Sequence, residues 1–190
     1  MGRTREAALT GALAAVTKYG SRKATMGDIA MLAGIAKATL YNHFRTRDDL
    51  YVALVAAEVE RVAAAAGAKL PEGFDVAVAE AARLLGDYPA LRRIAVDDPG
   101  AMVALTTPSA GPVWHTARAA VAGGLTSAGY AESPAAVDLV LRYLVSQLSA
   151  PSSADARVAG AELLMAAVAA APLAVPAPDL DQADSSDTNS

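Results

Sequence analysis

Proline and glycine punctuate this chain so densely that only helices of modest length fit between them. After Gly67 the breakers Pro71, Gly73, Pro89, Pro99, Gly100, Pro108, Gly111, Pro112, Gly129, Pro134 and Pro151 leave segments of about 74–86, 90–97, 112–128, 135–149 and 153–171. No stretch keeps a period-two alternation for long, so strands are not called for. The chain is 54% hydrophobic, yet much of that is alanine, with only two Phe, one Trp and six Tyr. Such a composition builds an interior from closely approaching helices rather than from sheets of bulky side chains. The expected fold class is therefore all-α.

The N-terminal quarter is punctuated more tightly. Apolar residues at Ala8, Leu9, Ala12, Leu13, Val16 and Tyr19 mark a first helix, with Gly20 placed as a left-handed cap. Thr25 is placed to cap a second, short helix from about Met26 to Ala33, Gly34 breaks it, and a third runs from about Lys37 to Phe44. Thr46 with Asp49 three residues on reads as a capping box opening a fourth helix to about Ala66. Thr25 to Phe44 thus fits two short helices crossing steeply at a three-residue turn. Ala30 is small where the helices approach, Gly34 is able to take positive φ, and Ile29, Ile35, Leu40 and Phe44 supply a shared core.

If Leu40 points inward, rotation of about 100° per residue puts Ala38 and Asn42 on the opposite face, with Thr39 and Tyr41 on its flanks and His43 nearer the protein. That short polar face offers hydroxyl, amide and phenol groups suited to base edges and phosphates in a major groove. Lys37 begins the helix, and Arg47 opens the next one, where backbone N–H groups already favour a phosphate. Any amphipathic helix displays polar residues, so the charge distribution matters. Residues 1–50 hold eight Lys or Arg against four acids, a surplus of +4, inside a chain of net charge -4. A basic head on an acidic body suits a DNA reader, because phosphate attraction supplies most nonspecific affinity and the body is repelled from the duplex.

Other function classes find little support. There is no Cys, which excludes disulfides and thiolate metal sites, and the two His residues make no convincing metal site. No glycine-rich phosphate loop or nucleophile elbow is present, and Asp97–Asp98 reads as a solvated helix end before Pro99 rather than a carboxylate pair. An enzyme is the least favoured alternative, behind a helical interaction or ligand-binding protein without specific DNA binding. No cofactor is implied. With neither an apolar leader nor a membrane-length apolar run, the expectation is a soluble, cytoplasmic protein with no membrane partner.

The residues Ala33-Gly34-Ile35, Lys37, Thr39-Leu40-Tyr41, His43-Phe44 and Arg47-Asp48-Asp49-Leu50 resemble the signature of the tetracycline-repressor (TetR) family of bacterial regulators. The match covers about 47 residues. Two positions depart from the family pattern. Ala36 stands where serine usually caps the recognition helix, and Ala38 where glycine is frequent. The resemblance implies that Thr25 touches phosphate, that Lys37, Ala38, Thr39 and Asn42 face the groove, and that Tyr41, His43 and Arg47 fix the backbone. Arg3 and Arg5 are candidates for a mobile basic arm or simply a solvated terminus.

The resemblance further implies a head of residues 1–46, a helical ligand-binding and dimerisation domain over 47–171, and a roughly palindromic double-stranded operator bound by a homodimer. Residues 172–190, rich in Pro and polar residues, read as a disordered tail. The implied function is a ligand-responsive regulator, a repressor by default, released by a small apolar or amphipathic effector. Ligand contacts are expected from Tyr88, Met102, Trp114, His115 and Arg118. Pairing is expected through the last two long helices, whose apolar stripes carry Val137, Leu141, Leu144 and Leu148 on one and Leu164 and Val168 on the other.

Overall fold

The computed structural model describes residues 2–109, 111–131 and 133–170, and the tail expected over 172–190 lies outside them. Among the described residues every regular element is helical. In order these are α1 (Gly2–Tyr19), α2 (Met26–Ala33), α3 (Lys37–His43), α4 (Arg47–Gly67), a 3₁₀ turn (Leu70–Glu72), α5 (Phe74–Gly86), α6 (Pro89–Asp97), α7 (Pro99–Thr106), α8 (Pro112–Ser127), α9 (Pro134–Ser149) and α10 (Ala154–Ala170). No helix among them is long and apolar enough to cross a membrane.

Two cores organise these helices. The first gathers Ala8, Leu9, Ala12 and Ala15 of α1, Ile29 and Ala30 of α2, Leu40 and Phe44, and also Leu50 and Leu54 of α4. Helix α4 therefore begins in one core and continues into the other part of the molecule. The second core joins Phe74 and Val78 of α5, Trp114, Val121 and Leu125 of α8, Val137, Val140 and Leu141 of α9, and Ala161 and Met165 of α10. The first is rich in alanine, and that permits close approach. A Cβ on Gly11 would stand 2.6 Å from Ala33 Cβ and 2.7 Å from Ile29 O, so α1 and α2 touch only because Gly11 lacks one.

The structure revises the helical reading at two places. Helix α1 starts at Gly2, so Arg3 and Arg5 ride on a helix instead of forming an arm, and the Arg5 guanidinium lies 5.7 Å from the centre of the Phe44 ring. Residues 99–106, which carry the breakers Pro99 and Gly100, form α7. Proline at the first helical position removes an N–H that would have no partner there anyway, so Pro99 starts the helix it was expected to interrupt. Pro89, Pro112 and Pro134 occupy equivalent starts in α6, α8 and α9.

An ion pair between a buried arginine and a half-exposed aspartate fastens the last helix to the body. Arg157 of α10, almost wholly buried, donates from Nη1 and Nη2 to the two carboxylate oxygens of Asp87 at 3.0 and 2.9 Å, and from Nε to Ser152 O at 2.9 Å. Tyr143 Oη of α9 donates to Arg157 O at 2.7 Å. Asp87 comes directly after α5 and precedes Tyr88, so the corner that carries Tyr88 is held by this pair.

Candidate nucleic-acid interface and ligand cavity

The head is built from local signals that agree. Thr25 caps α2 through a full capping box: Asp28 N donates to Thr25 Oγ1 at 3.2 Å, and Thr25 N and Oγ1 donate to Asp28 Oδ2 at 3.0 and 2.6 Å. The Thr25 hydroxyl bond is the largest cause of a lowered Asp28 pKa. Gly34 then adopts φ +66, the left-handed conformation the turn requires, and its N–H reaches back to the last carbonyls of α2. Helix α3 starts after Ala36 with no side-chain cap, while Thr46 and Asp49 form the reciprocal box at the head of α4.

Burial along α3 keeps to helical phase. Leu40 is fully buried and Phe44 nearly so, whereas Lys37, Ala38, Tyr41 and Asn42 are exposed and Thr39 and His43 are half-buried. Lys37 Nζ lies 6.0 Å from the Tyr41 ring centre, and the His43 ring leans on Phe44 with centroids 6.5 Å apart. One predicted backbone contact is engaged inside the protein. Arg47 Nη1 donates to Arg22 O at 3.2 Å and Ala24 O at 3.4 Å, and its guanidinium sits 5.6 Å from the Tyr51 ring centre. Arg47 thus braces the loop between α1 and α2. Arg22, Lys23 and Arg45, which the sequence reading counted only as charge, are exposed.

Between α4, α5, α6, α8 and α9 lies an apolar cavity of about 630 Å³, within the usual range for small-molecule sites. Of the residues expected to contact a ligand, Tyr88 and Trp114 line it. The other three ligand candidates stand elsewhere. Met102 is buried but outside the lining, and His115 and Arg118 are exposed on α8. Arg118 does approach Trp114, 6.0 Å from the ring centre, but from the solvent side of the helix.

Beside Tyr88 stand two charged groups that the sequence did not single out, Glu58 and Arg61. Arg61 Nε of α4 donates to Glu58 Oε2 at 2.8 Å, and the same guanidinium sits 5.4 Å from the centre of the Tyr88 ring. Tyr88 Oη is buried without a hydrogen-bond partner. Burial first, and then the nearby Glu58 carboxylate, push the Tyr88 phenol well above its ordinary pKa, so it is a neutral donor. The available signal was Glu58 and Arg61 standing i,i+3 in an otherwise valine- and alanine-rich stretch of α4.

The cavity also touches the head. Tyr51 and Ser21 belong to its lining, Tyr51 Oη donates to Ser21 O at 3.1 Å, and Ser21 Oγ donates to Asp98 Oδ2 at 3.3 Å. Leu91 and Ile94 of α6 line the cavity, and Asp97 at the end of α6 packs against Gly20. Of the predicted pairing residues, Val137 and Leu141 are buried within the protomer, and Leu144 and Leu148 face the cavity together with Leu141. Leu164 and Val168 are half-buried. The large apolar side chains that α9 and α10 present to solvent are Leu139, Val158 and Leu163.

Comparison with known proteins agrees with this architecture. The family model for bacterial regulatory proteins of the tetR family matches residues 8–54, the span of the first core. No curated protein matches the chain. Among solved structures, the TetR family repressor AlkX from Dietzia sp. strain DQ12-45-1b, implicated in biodegradation of n-alkanes, superposes with a TM-score of 0.69 at 21% identity, covering 87% of this chain and 95% of that one. A chain from a structure concerned with control of antibiotic production by bacterial hormones gives 0.58 at 21% identity, with 88% and 98% covered. A protein of Mesorhizobium loti MAFF303099 described as a TetR-family transcriptional regulator gives 0.58 at 21% identity, with 87% and 95% covered. Residues 8–54 thus match the tetR family of bacterial regulatory proteins, and the chain as a whole has the fold of solved TetR-family regulators.

Proposed function

We propose that the protein is a ligand-responsive repressor, acting in the cytoplasm as a homodimer on a roughly two-fold symmetric operator and released when a small apolar or amphipathic effector enters the cavity. The observation that carries this reading is the contact between cavity and head. The Tyr51–Ser21–Asp98 hydrogen bonds and the Asp97–Gly20 packing connect the cavity-lining helices α4 and α6 to the loop after α1. A ligand that fits one arrangement of α4 and α6 better than another biases the head by that difference in affinity and by no more. A repressing sense is in keeping with the name given to AlkX.

In this reading Lys37, Ala38, Thr39 and Asn42 face the groove. Tyr41, Thr25 and His43 approach phosphates, and Arg47 holds the loop that positions them. The Ala38 methyl is suited to packing on a thymine methyl. Pairing runs through the outward faces of α9 and α10, where Leu139 and Leu163 are exposed and Leu164 and Val168 half-buried. Two recognition helices would then fit successive major grooves, about 34–36 Å apart.

Genomic fragments retained by the purified chain, footprinted with and without candidate effectors, test the proposal. Protection of a symmetric site that weakens steeply with salt and is lost with an effector supports it. Weak protection indifferent to sequence overturns it.

A further inference from the structure

The cavity's few polar groups restrict what its occupant can carry. Its lining is otherwise mostly Leu, Val and Ala, so a charged group placed there meets a large desolvation cost unless a partner of opposite charge is free. Neither sign finds one. Glu58 and Arg61 are bonded to each other through Arg61 Nε, so a carboxylate approaching the guanidinium also meets Glu58 and an ammonium approaching Glu58 also meets Arg61. What the site does hold is a buried phenol O–H with no acceptor, Tyr88 Oη, whose ring is covered by the Arg61 guanidinium. Such a donor is costly to leave unmade, and a ligand oxygen relieves it.

Resting on the effector-binding reading above, we propose that the cavity selects uncharged molecules with an apolar body and one neutral hydrogen-bond-accepting oxygen, such as a ketone or ester carbonyl, placed on Tyr88 Oη, and that the Glu58–Arg61 pair rejects ionised analogues. Trp114 lines the cavity and is the one tryptophan of the chain, so its fluorescence reports occupancy directly.

The experiment titrates the full chain with four probes of one chain length: 2-octanone, octane, octanoate and octylammonium. The ketone binds tightest, ahead of both ions by about tenfold or more. Tyr88→Phe, checked for unchanged circular dichroism, weakens the ketone about tenfold and leaves octane unaltered. Glu58→Gln frees Arg61, so octanoate gains relative to the ketone and the order of the two narrows or reverses. If octanoate or octylammonium binds tightest to the unaltered chain, or if Tyr88→Phe leaves ketone affinity unchanged, the ligand class is wrong while an apolar effector site stands. If none of the four perturbs Trp114, the effector-binding reading itself falls, and this inference with it.

Discussion

At the scale of single residues, the head depends on small local bonds whose worth is calculable. Helix α3 starts at Ala36 with no side-chain cap. Ala36→Ser supplies an acceptor for an unpaired N–H of the first turn and stabilises the chain by about 0.5–1 kcal/mol, read as a higher urea midpoint with unchanged slope. Asp87 illustrates a charge with a pH signature. Its pKa is lowered chiefly by the Arg157 hydrogen bonds, so its contribution to stability is present at neutral pH, above the unfolded value near 3.9, and is lost as pH falls through the lower folded value. Asp87→Asn removes that acid-side dependence. It also leaves Arg157 short of an anion and costs about 2 kcal/mol at pH 7, toward the low end for buried pairs because Asp87 is itself half-exposed. Urea unfolding of both chains at pH 7 and at pH 3 measures both effects.

At the scale of elements, the features legible in the sequence are those written in neighbouring residues. Thr25, Gly34, Thr46 and Asp49 announce the ends of α2 and α4, and the phase of Leu40 announces the exposed face of α3, because caps and helical rotation are local. Helix α7 was hidden because Pro99 and Gly100 carry the same residue types as a break. Whether a proline ends a helix or begins one is decided by the residues on its C-terminal side. Glu58 and Arg61 as partners of Tyr88 were hidden for another reason: they join α4 to the α5–α6 corner, a contact made only by tertiary packing. His115 and Arg118 were misplaced because the inward side of that end of α8 is made by Val113, Trp114 and Ala117, and His115 and Arg118 fall on the exposed side. Gly11 illustrates how narrowly the elements fit. Gly11→Ala pushes a methyl onto Ala33 and the Ile29 carbonyl, separates α1 from α2, and destabilises the chain by about 1–3 kcal/mol. Calorimetry checks that value, and the variant loses DNA affinity along with stability.

For the whole molecule, the apolar stripe on α9 divides by side. Val137 and Leu141 fill the second core and Leu144 lines the cavity, so the large apolar side chains left exposed for the proposed pairing are Leu139 of α9 and Leu163 of α10. Leu163→Lys should therefore yield monomers by light scattering while leaving the helical content intact, and a dimer that persists in that variant rejects this face. The central claim is that the α3 face of Lys37, Ala38, Thr39, Tyr41 and Asn42 reads DNA. Its most direct measurement compares the unaltered chain with a Thr39→Ala, Asn42→Ala double variant on the footprinted fragment and on unrelated DNA across a salt series. The account predicts loss of roughly ten- to a thousandfold in specific affinity, with the nonspecific affinity and its salt slope nearly unchanged. Equal specific affinity in the two proteins would contradict it.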